Sequence, residues 1–194
     1  MIPPTLIQQC APRVSPATMA AIVRVESGGN PLAMWNNGTR AMVIPGDLSQ
    51  ARQYLSRAMA AGQRVDVGLA QVDTENFAAY GLTPANAFDA CTNLKAGAAI
   101  LRRDWRQALA AGYHGQQALY HAFEAYNSGR LWGDSQYAVH ILAAAGIRVG
   151  VGPRNGLAYR IRKSGPLAFV ETWGYPKSTP PKPVKTGAVY VLNW

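Results

Sequence analysis

Apolar side chains recur every three or four residues over most of this chain, which is the spacing of helices that bury one face. Most of these runs stop at a glycine or a Pro/Gly cluster, residues that end helices. Aspartate, serine or threonine precedes several of them and can cap the first turn. The predicted helices cover about 16–27, 47–61, 74–80, 91–111, 116–126 and 135–145, with a further short segment opened by Thr83 and Pro84.

One stretch breaks the helical period. Asn37-Gly38 is a turn signal between two short apolar runs, 33–35 and 41–44, and predicts a small hairpin. Residues 1–14 contain three prolines and are expected to form an irregular lead-in, and 65–73 is too short and glycine-interrupted for a helix. The fold class that follows is mainly α, with roughly seven helices and one small β-hairpin.

Glu26 is the first candidate for chemistry. It falls in the last turn of the helix 16–27, where the helix dipole disfavours a further negative charge. Its neighbours on the helix, Ile22 and Val23, are apolar. Both effects raise the pKa of a carboxyl, as a proton donor near neutral pH requires. The alternative is a solvated glutamate at a frayed helix end.

Three later motifs carry candidate binding groups. In Gly68-Leu69-Ala70-Gln71 the glycine lets the backbone approach a ligand closely, and the glutamine amide can both donate and accept. Ala125-Tyr126-Asn127 ends one predicted helix, and Tyr137 lies at the start of the next. Taken singly these are weak signals, because tyrosines of this kind are more often half-buried core residues.

Composition indicates a folded domain followed by a basic tail. The 194 residues are 48% apolar and 15% charged, unlike a disordered chain, and no apolar run is long enough to span a bilayer. Of the formal charge of +9, residues 1–145 account for +2 and residues 146–194 for +7. The tail also contains six of the thirteen prolines, and its basicity favours an anionic partner.

The cysteine content excludes one class of site. Two cysteines, Cys10 and Cys91, cannot form a structural zinc site built mainly from thiolates, and the three histidines lack the spacing of metal ligands. We therefore expect no metal and no cofactor. Composition leaves open whether the cysteines form one disulfide or remain two buried thiols.

In their order and spacing the four motifs resemble the lysozyme-like soluble lytic transglycosylases. These are recognised by Glu-Ser, Gly-Leu-Met-Gln, Ala-Tyr-Asn and a tyrosine-containing helix. Further matches resemble the lytic transglycosylases of type IV secretion and conjugation systems: Cys10-Ala11-Pro12, Val25 to Pro31, Asp66 to Leu69, Phe88 to Leu94 and Tyr126 to Gly129. The resemblance covers about Gln8 to Ile147. It implies a lysozyme-like α+β domain around a substrate cleft at 1–147, with 148–194 as a separate Pro-rich basic tail.

The resemblance also implies the chemistry. Glu26 would cleave the β-1,4 bond between N-acetylmuramic acid and N-acetylglucosamine of peptidoglycan, acting first as acid and then as base, and form a 1,6-anhydromuramoyl product. Ala70 stands where methionine is usual, at a position that lines the sugar cleft in the family, so fine specificity is in question. The residues expected to bind or orient substrate are Ser27, Gly68, Leu69, Gln71, Tyr126, Asn127 and Tyr137.

Other functions remain open at this point. A hydrolytic muramidase needs a second carboxylate, about 5–10 Å from the first. Asp47 and Asp73 are better explained as helix caps, which leaves Asp66 as the candidate to test. A non-catalytic wall-binding module is a third hypothesis. A nucleic-acid binder is disfavoured, because the basic residues lie in the tail and the folded part is almost neutral.

The remaining implications concern location and partners. The resemblance implies a periplasmic protein, although Met1 to Thr5 shows no basic region leading into a signal peptide. In an oxidising, wall-facing compartment Cys10 and Cys91 are expected to form a disulfide. The expected partners are peptidoglycan glycan strands and, through the tail, components of a secretion apparatus.

Overall fold

Seven α-helices and a four-stranded antiparallel sheet make up the described part of the computed structural model, which covers residues 2–147 and the backbone of two short paired strands further along. The helices are α1 Pro4–Cys10, α2 Pro16–Ser27, α3 Leu48–Ala60, α4 Phe77–Tyr80, α5 Ala90–Ala110, α6 Gly115–Ser128 and α7 Ser135–Ala144. The strands are β1 Met34–Asn36, β2 Ala41–Val43, β3 Val65–Val67 and β4 Val72–Asp73, and then β5 Ala158–Tyr159 paired with β6 Tyr190–Val191. Of the predicted Pro-rich basic tail, 148–194, only the backbone of β5 and β6 is among the described residues.

Six predicted helices are confirmed to within a few residues, because local chemistry fixes their ends, whereas the segment opened by Thr83 and Pro84 forms turns and no helix. Pro16 stands in the first turn of α2, and Gly28 ends that helix in the left-handed conformation, with φ of 61°. The side chains of Asp47, Asp89 and Asp134 each accept a backbone N–H in the first turn of α3, α5 and α7. The mainly helical α+β fold class is therefore confirmed.

Two predictions of local structure were wrong. Residues 4–10 were expected to be irregular but form α1, because Pro4 stands at the first position of a helix, which a proline tolerates. Residues 65–67 and 72–73 were assigned no strand, yet β3 and β4 extend the predicted hairpin into a sheet of order β2-β1-β3-β4. Strands of two or three residues are too short to show an alternating pattern.

The domain has two apolar cores. The helical lobe, formed by α1, α2, α6, α7 and one side of α5, encloses fully buried side chains such as Ile22, Leu101 and Phe123. The sheet lobe, formed by β1–β4, α3, α4 and the other side of α5, encloses Leu55 and Val67. Because α5 contributes buried residues to both cores, it fixes one lobe against the other.

A disulfide joins Cys10 to Cys91, with 5.0 Å between their Cα atoms. It ties the end of α1 to the start of α5, across a sequence separation of 81 residues. The predicted disulfide is confirmed, and the alternative of two buried thiols is wrong.

Candidate active site

A cleft of about 820 Å³ lies where the two lobes meet. Helices α2 and α6 form one wall, and the sheet with the turn after β3 forms the other. Five of the eight predicted site residues line it: Glu26, Ser27, Gln71, Tyr126 and Asn127. The other three, Gly68, Leu69 and Tyr137, are buried and are not among the residues that line the cleft.

Glu26 stands in the last turn of α2, and its carboxyl oxygen Oε1 accepts a hydrogen bond from the hydroxyl of Tyr137 on α7. The pKa of Glu26 is raised to about 7 as the net result of three effects: burial raises it most, the hydrogen bond from Tyr137 lowers it, and the charge of Asp66 raises it. A carboxyl with this pKa is protonated in a large fraction of molecules at neutral pH. It can both give up and take back a proton under those conditions.

Ser27 connects the end of α2 to the turn after β3. Its Oγ lies 2.9 Å from the carbonyl oxygen of Leu69 and 3.1 Å from that of Val23, and it accepts the N–H of Gly29. Leu69 therefore meets Ser27 through its backbone, while its side chain packs in the helical core. The contacts of Ser27 hold the wall that carries Glu26 against the wall that carries Gln71.

Gln71 closes that turn in a strained conformation, with φ of 43°. Its amide nitrogen donates to the carbonyl oxygens of Gly68, at 2.8 Å, and Ala33, at 3.0 Å. Among the described residues no group bonds to its amide oxygen, which is left to accept a bond from a ligand. Gln71 therefore fits the predicted role of a sugar-binding residue, and that role stays a prediction.

Asn93 is a residue that sequence-based prediction missed. Its side chain is buried on α5, donates to the carbonyl oxygens of Val67 and Ala87, and accepts the N–H of Ala70. It fixes the turn 68–71 from behind. A β-carbon on Gly68 would lie 2.6 Å from the Asn93 amide nitrogen, so glycine is required there. The available signal was a polar residue within the apolar stripe of α5.

The expectation that residue 70 lines the cleft is corrected. Ala70 is fully buried, and its carbonyl oxygen accepts a bond of 2.7 Å from the hydroxyl of Tyr126. A β-carbon on Gly97 of α5 would lie only 2.5 Å from the β-carbon of Ala70. Ala70 and Gly97 therefore form a close contact between two small residues, and Ala70 acts on the site through the position of Tyr126.

The loop between α6 and α7 is held by a buried pair, His121 and Glu124. His121 Nδ1 lies 2.7 Å from Glu124 Oε2 and 2.6 Å from the carbonyl oxygen of Leu131, so its one N–H is shared between the two acceptors. The other oxygen of Glu124 accepts the backbone N–H of Asp134. Glu124 is thus fully engaged inside the helical lobe and does not line the cleft.

Asp134 connects this loop to the site. Its carboxylate caps α7, the helix that carries Tyr137, and accepts a bond from the side-chain amide of Asn127. The rings of Tyr126 and Tyr137 are stacked, with centroids 6.5 Å apart. The two tyrosines and Asn127 are therefore placed relative to Glu26 by the contact between α6 and α7.

Asp66 lies in the same cleft as Glu26. Its Oδ2 accepts a bond of 3.0 Å from the Asn37 amide, and burial raises its pKa to about 6. Asp73 also lines the cleft, but it is paired with Arg64 at 2.6 Å and caps the turn that precedes α4. Asp47 only caps α3, and Glu75, which also lines the cleft, is paired with Arg64 at 3.1 Å. Asp66 is therefore the second carboxylate that the site offers.

Residues 2–147 contain no group of three or more histidine, cysteine, aspartate or glutamate side chains placed to hold a metal ion. Within this part of the chain no helix has the length and apolar character to cross a membrane.

The family model described as "Transglycosylase SLT domain" matches residues 5–136, which include Glu26 and most of both cleft walls. The chain belongs to this family. The match ends at 136, one residue before Tyr137. The resemblance drawn from the four motifs is thereby confirmed.

Its relatives include proteins of secretion systems. The chain is 44% identical over 129 residues to the type IV secretion system protein virB1 of Brucella abortus and of Brucella suis, a match that covers 66% of this chain and 54% of theirs. It is 38% identical over 122 residues to protein virB1 of Agrobacterium fabrum, covering 63% of this chain and 49% of that protein. The matched part thus spans about half the length of these relatives. No solved structure matches the chain significantly.

Proposed function

We propose that this transglycosylase-family domain is a peptidoglycan lytic transglycosylase that cleaves the β-1,4 bond between N-acetylmuramic acid and N-acetylglucosamine and leaves a 1,6-anhydromuramoyl end. The observation that carries the proposal is Glu26, whose pKa is raised to about 7 at the wall of a cleft and whose carboxyl is held by Tyr137. A carboxyl in this state can serve in turn as acid and base.

The reaction needs one proton to travel through Glu26. The protonated carboxyl gives its proton to the glycosidic oxygen, the bond from that oxygen to the muramoyl C1 breaks, and the second sugar leaves as an alcohol. The Glu26 carboxylate then removes the proton of the muramoyl C6 hydroxyl, whose oxygen bonds to C1 and closes the anhydro ring. Glu26 ends protonated, as it began, and no water is consumed. Tyr137 orients the carboxyl, while Ser27, Gln71, Tyr126 and Asn127 position the sugars.

A hydrolytic muramidase is a second candidate, and Asp66 favours it. Its carboxyl lies in the same cleft, and its charge acts on Glu26. As a base it would activate a water molecule and yield a reducing muramic acid end. The products differ by the mass of one water, so mass spectrometry of digested peptidoglycan separates the two reactions. A reducing product that disappears in D66N would establish the hydrolase.

The decisive variant is E26Q, which keeps the shape of the side chain but holds no transferable proton. We expect digestion of purified peptidoglycan to fall by about a thousandfold or more, with wall binding and melting temperature retained. Digestion by E26Q at the wild-type rate would overturn the assignment of Glu26. A wild-type protein that binds the wall without digesting it would instead establish the non-catalytic binding module.

The relatives support a proposal about the cellular role. Because proteins named for type IV secretion systems share this domain, we propose that the chain acts in the periplasm and opens the wall locally for a secretion apparatus. We further propose that 148–194 is a separate basic arm that contacts a component of that apparatus or an anionic surface. Truncation after residue 147 should preserve digestion in vitro and abolish secretion in vivo. Unchanged secretion would show that the arm is dispensable.

A further inference from the structure

One face of the four-stranded sheet is turned toward the cleft. Met42 on β2 pairs with Trp35 on β1, Trp35 with Asp66 on β3, and Asp66 with Asp73 on β4. Directly paired residues of antiparallel strands project from the same face. The four side chains therefore form a row across the sheet, and all four line the cleft.

The row changes character along its length. Two carboxylates, Asp66 and Asp73, stand at one end, while the other end carries Trp35, Met42 and, two residues further, Ile44, which also lines the cleft. We call Trp35, Met42 and Ile44 the hairpin platform. Their exposed fractions are 38%, 68% and 66%.

This exposure is concentrated at the platform. Five large apolar side chains are exposed in residues 2–147, and three of them form the platform. The other two, Leu48 and Trp132, are not among the residues that line the cleft. An exposed apolar cluster beside polar groups inside a cleft is typical of a ligand-binding surface.

We propose that the hairpin platform binds a further sugar unit of the glycan strand. This sugar lies outside the four that flank the cleaved bond, two on each side. The inference rests on the proposed function and adds a subsite to it. In a β-1,4-linked sugar the ring hydroxyls point outward around the edge, and the C–H groups leave two apolar faces. An indole ring flanked by aliphatic side chains offers a surface of matching size and polarity.

The distance between neighbouring β-strands fixes how far the platform residues lie from Asp66. Neighbouring strands lie about 4.8 Å apart, so Trp35 is one spacing and Met42 two spacings, about 10 Å, from Asp66. Two spacings are close to the length of one disaccharide. A glycan chain that runs across the row from Asp66 therefore reaches Met42 and Ile44 after about two sugars.

The cleft itself favours a glycan over other occupants. The platform and Glu26 line the same cleft, so whatever extends from the reaction centre along this wall must pass the platform. The four carboxyl side chains that line the cleft outnumber its two arginines, Arg64 and Arg103, and this charge balance disfavours a nucleic acid or an anionic lipid surface.

The test compares a double variant, M42S/I44S, with L48S as the matched control. Leu48 is an exposed apolar residue at the start of α3, outside the cleft lining. The substrates are long glycan strands freed of peptides and the tetrasaccharide that ends in muramic acid, whose one scissile bond has two sugars on each side. We expect kcat/KM of M42S/I44S to fall about tenfold on long strands, from lost apolar contact, and to stay within about twofold on the tetrasaccharide. L48S should match the wild type on both.

Other results would overturn the proposal. An equal loss on both substrates would mean that the platform supports the reacting sugars or the fold, and no loss on the long strands would mean that it does not bind the glycan. If the wild-type protein forms no anhydro product from either substrate, the proposed function fails. Cosedimentation of peptide-free long strands with E26Q, with and without M42S/I44S, then still tests the platform: equal binding by the two proteins would reject it.

Discussion

The two lobes that meet at the cleft differ in how far they expose the side chains that face it. In the helical lobe, the half-buried Glu26 bonds to the buried Tyr137, and burial is the largest of the effects that bring the pKa of Glu26 to about 7. In the sheet lobe, Trp35 and Met42 stand open on the surface. A carboxyl keeps its proton at neutral pH only where its charged form is poorly solvated. A long polymer, in contrast, can be bound only by groups that are exposed. The comparison predicts that changes in the helical lobe alter stability and chemistry, and changes on the sheet alter binding or shift the pH dependence.

The largest effect is expected from removing the disulfide of the helical lobe. In C10S/C91S the unfolded chain regains the freedom of a loop of about 80 residues, which lowers the free energy of unfolding by about 4.5 kcal/mol in the chain-entropy model. Urea unfolding followed by circular dichroism measures this. Reduction of the wild-type protein should reproduce the loss. Equal stability of the two proteins would mean that the disulfide contributes nothing to the fold.

The next effect concerns Tyr137. In Y137F we expect kcat/KM to fall by about 10- to 100-fold, because Glu26 loses the group that orients it. The bond from Tyr137 lowers the pKa of Glu26, so its loss raises that pKa. Activity requires protonated Glu26 and falls as pH rises through about 7 in the wild type. In Y137F this fall should move to higher pH, and an unchanged pH profile would show that the hydroxyl does not act on Glu26.

A smaller effect is expected at the junction of the lobes. In G97A the new β-carbon would lie 2.5 Å from that of Ala70 and 2.9 Å from the Tyr126 hydroxyl, so one of them must move. The free energy of unfolding should fall by about 1–3 kcal/mol, although helix propensity alone predicts a gain of about 1 kcal/mol. A lower melting temperature would show that the close contact dominates, and a higher one that helix propensity does. A70G in the same chain should recover part of the loss.

The smallest effect is expected on the sheet. The charge of Asp66 raises the pKa of Glu26, so D66N lowers it and moves the loss of activity to lower pH, by less than about one unit. The profile of kcat/KM against pH measures the shift. A shift to higher pH would contradict the assignment of Asp66 as a charge that acts on Glu26, and a loss of all activity would favour the hydrolase.

Much of the helical framework could be predicted from sequence because its signals are local. Gly28 in the left-handed conformation and the capping aspartates act within one turn of the residues that they fix. The sheet could not be predicted in the same way. β3 and β4 are ordered by pairing with one another and with β1, which lies about thirty residues away along the chain.

The candidate site divides along the same line. Glu26 could be predicted because both signals, the end of the helix and the apolar neighbours, lie in the sequence of its own helix. Asn93, the pair His121–Glu124 and the row on the sheet were missed, since each depends on contacts between separate elements. Ala70 was placed on the wrong surface for the same reason, because its contact with Gly97 of α5 cannot be read from its own motif.

The sequence by itself determined where the helices end, which carboxyl is the candidate acid, that a basic segment follows the domain and which family the chain belongs to. Each of these depends on residue type at short spacing. Only the tertiary structure decided that Tyr137 meets Glu26, 111 residues away, and that Ala70 is buried while Met42 is exposed. Burial and pairing are properties of surfaces brought together by packing, and a local pattern of residues does not contain them.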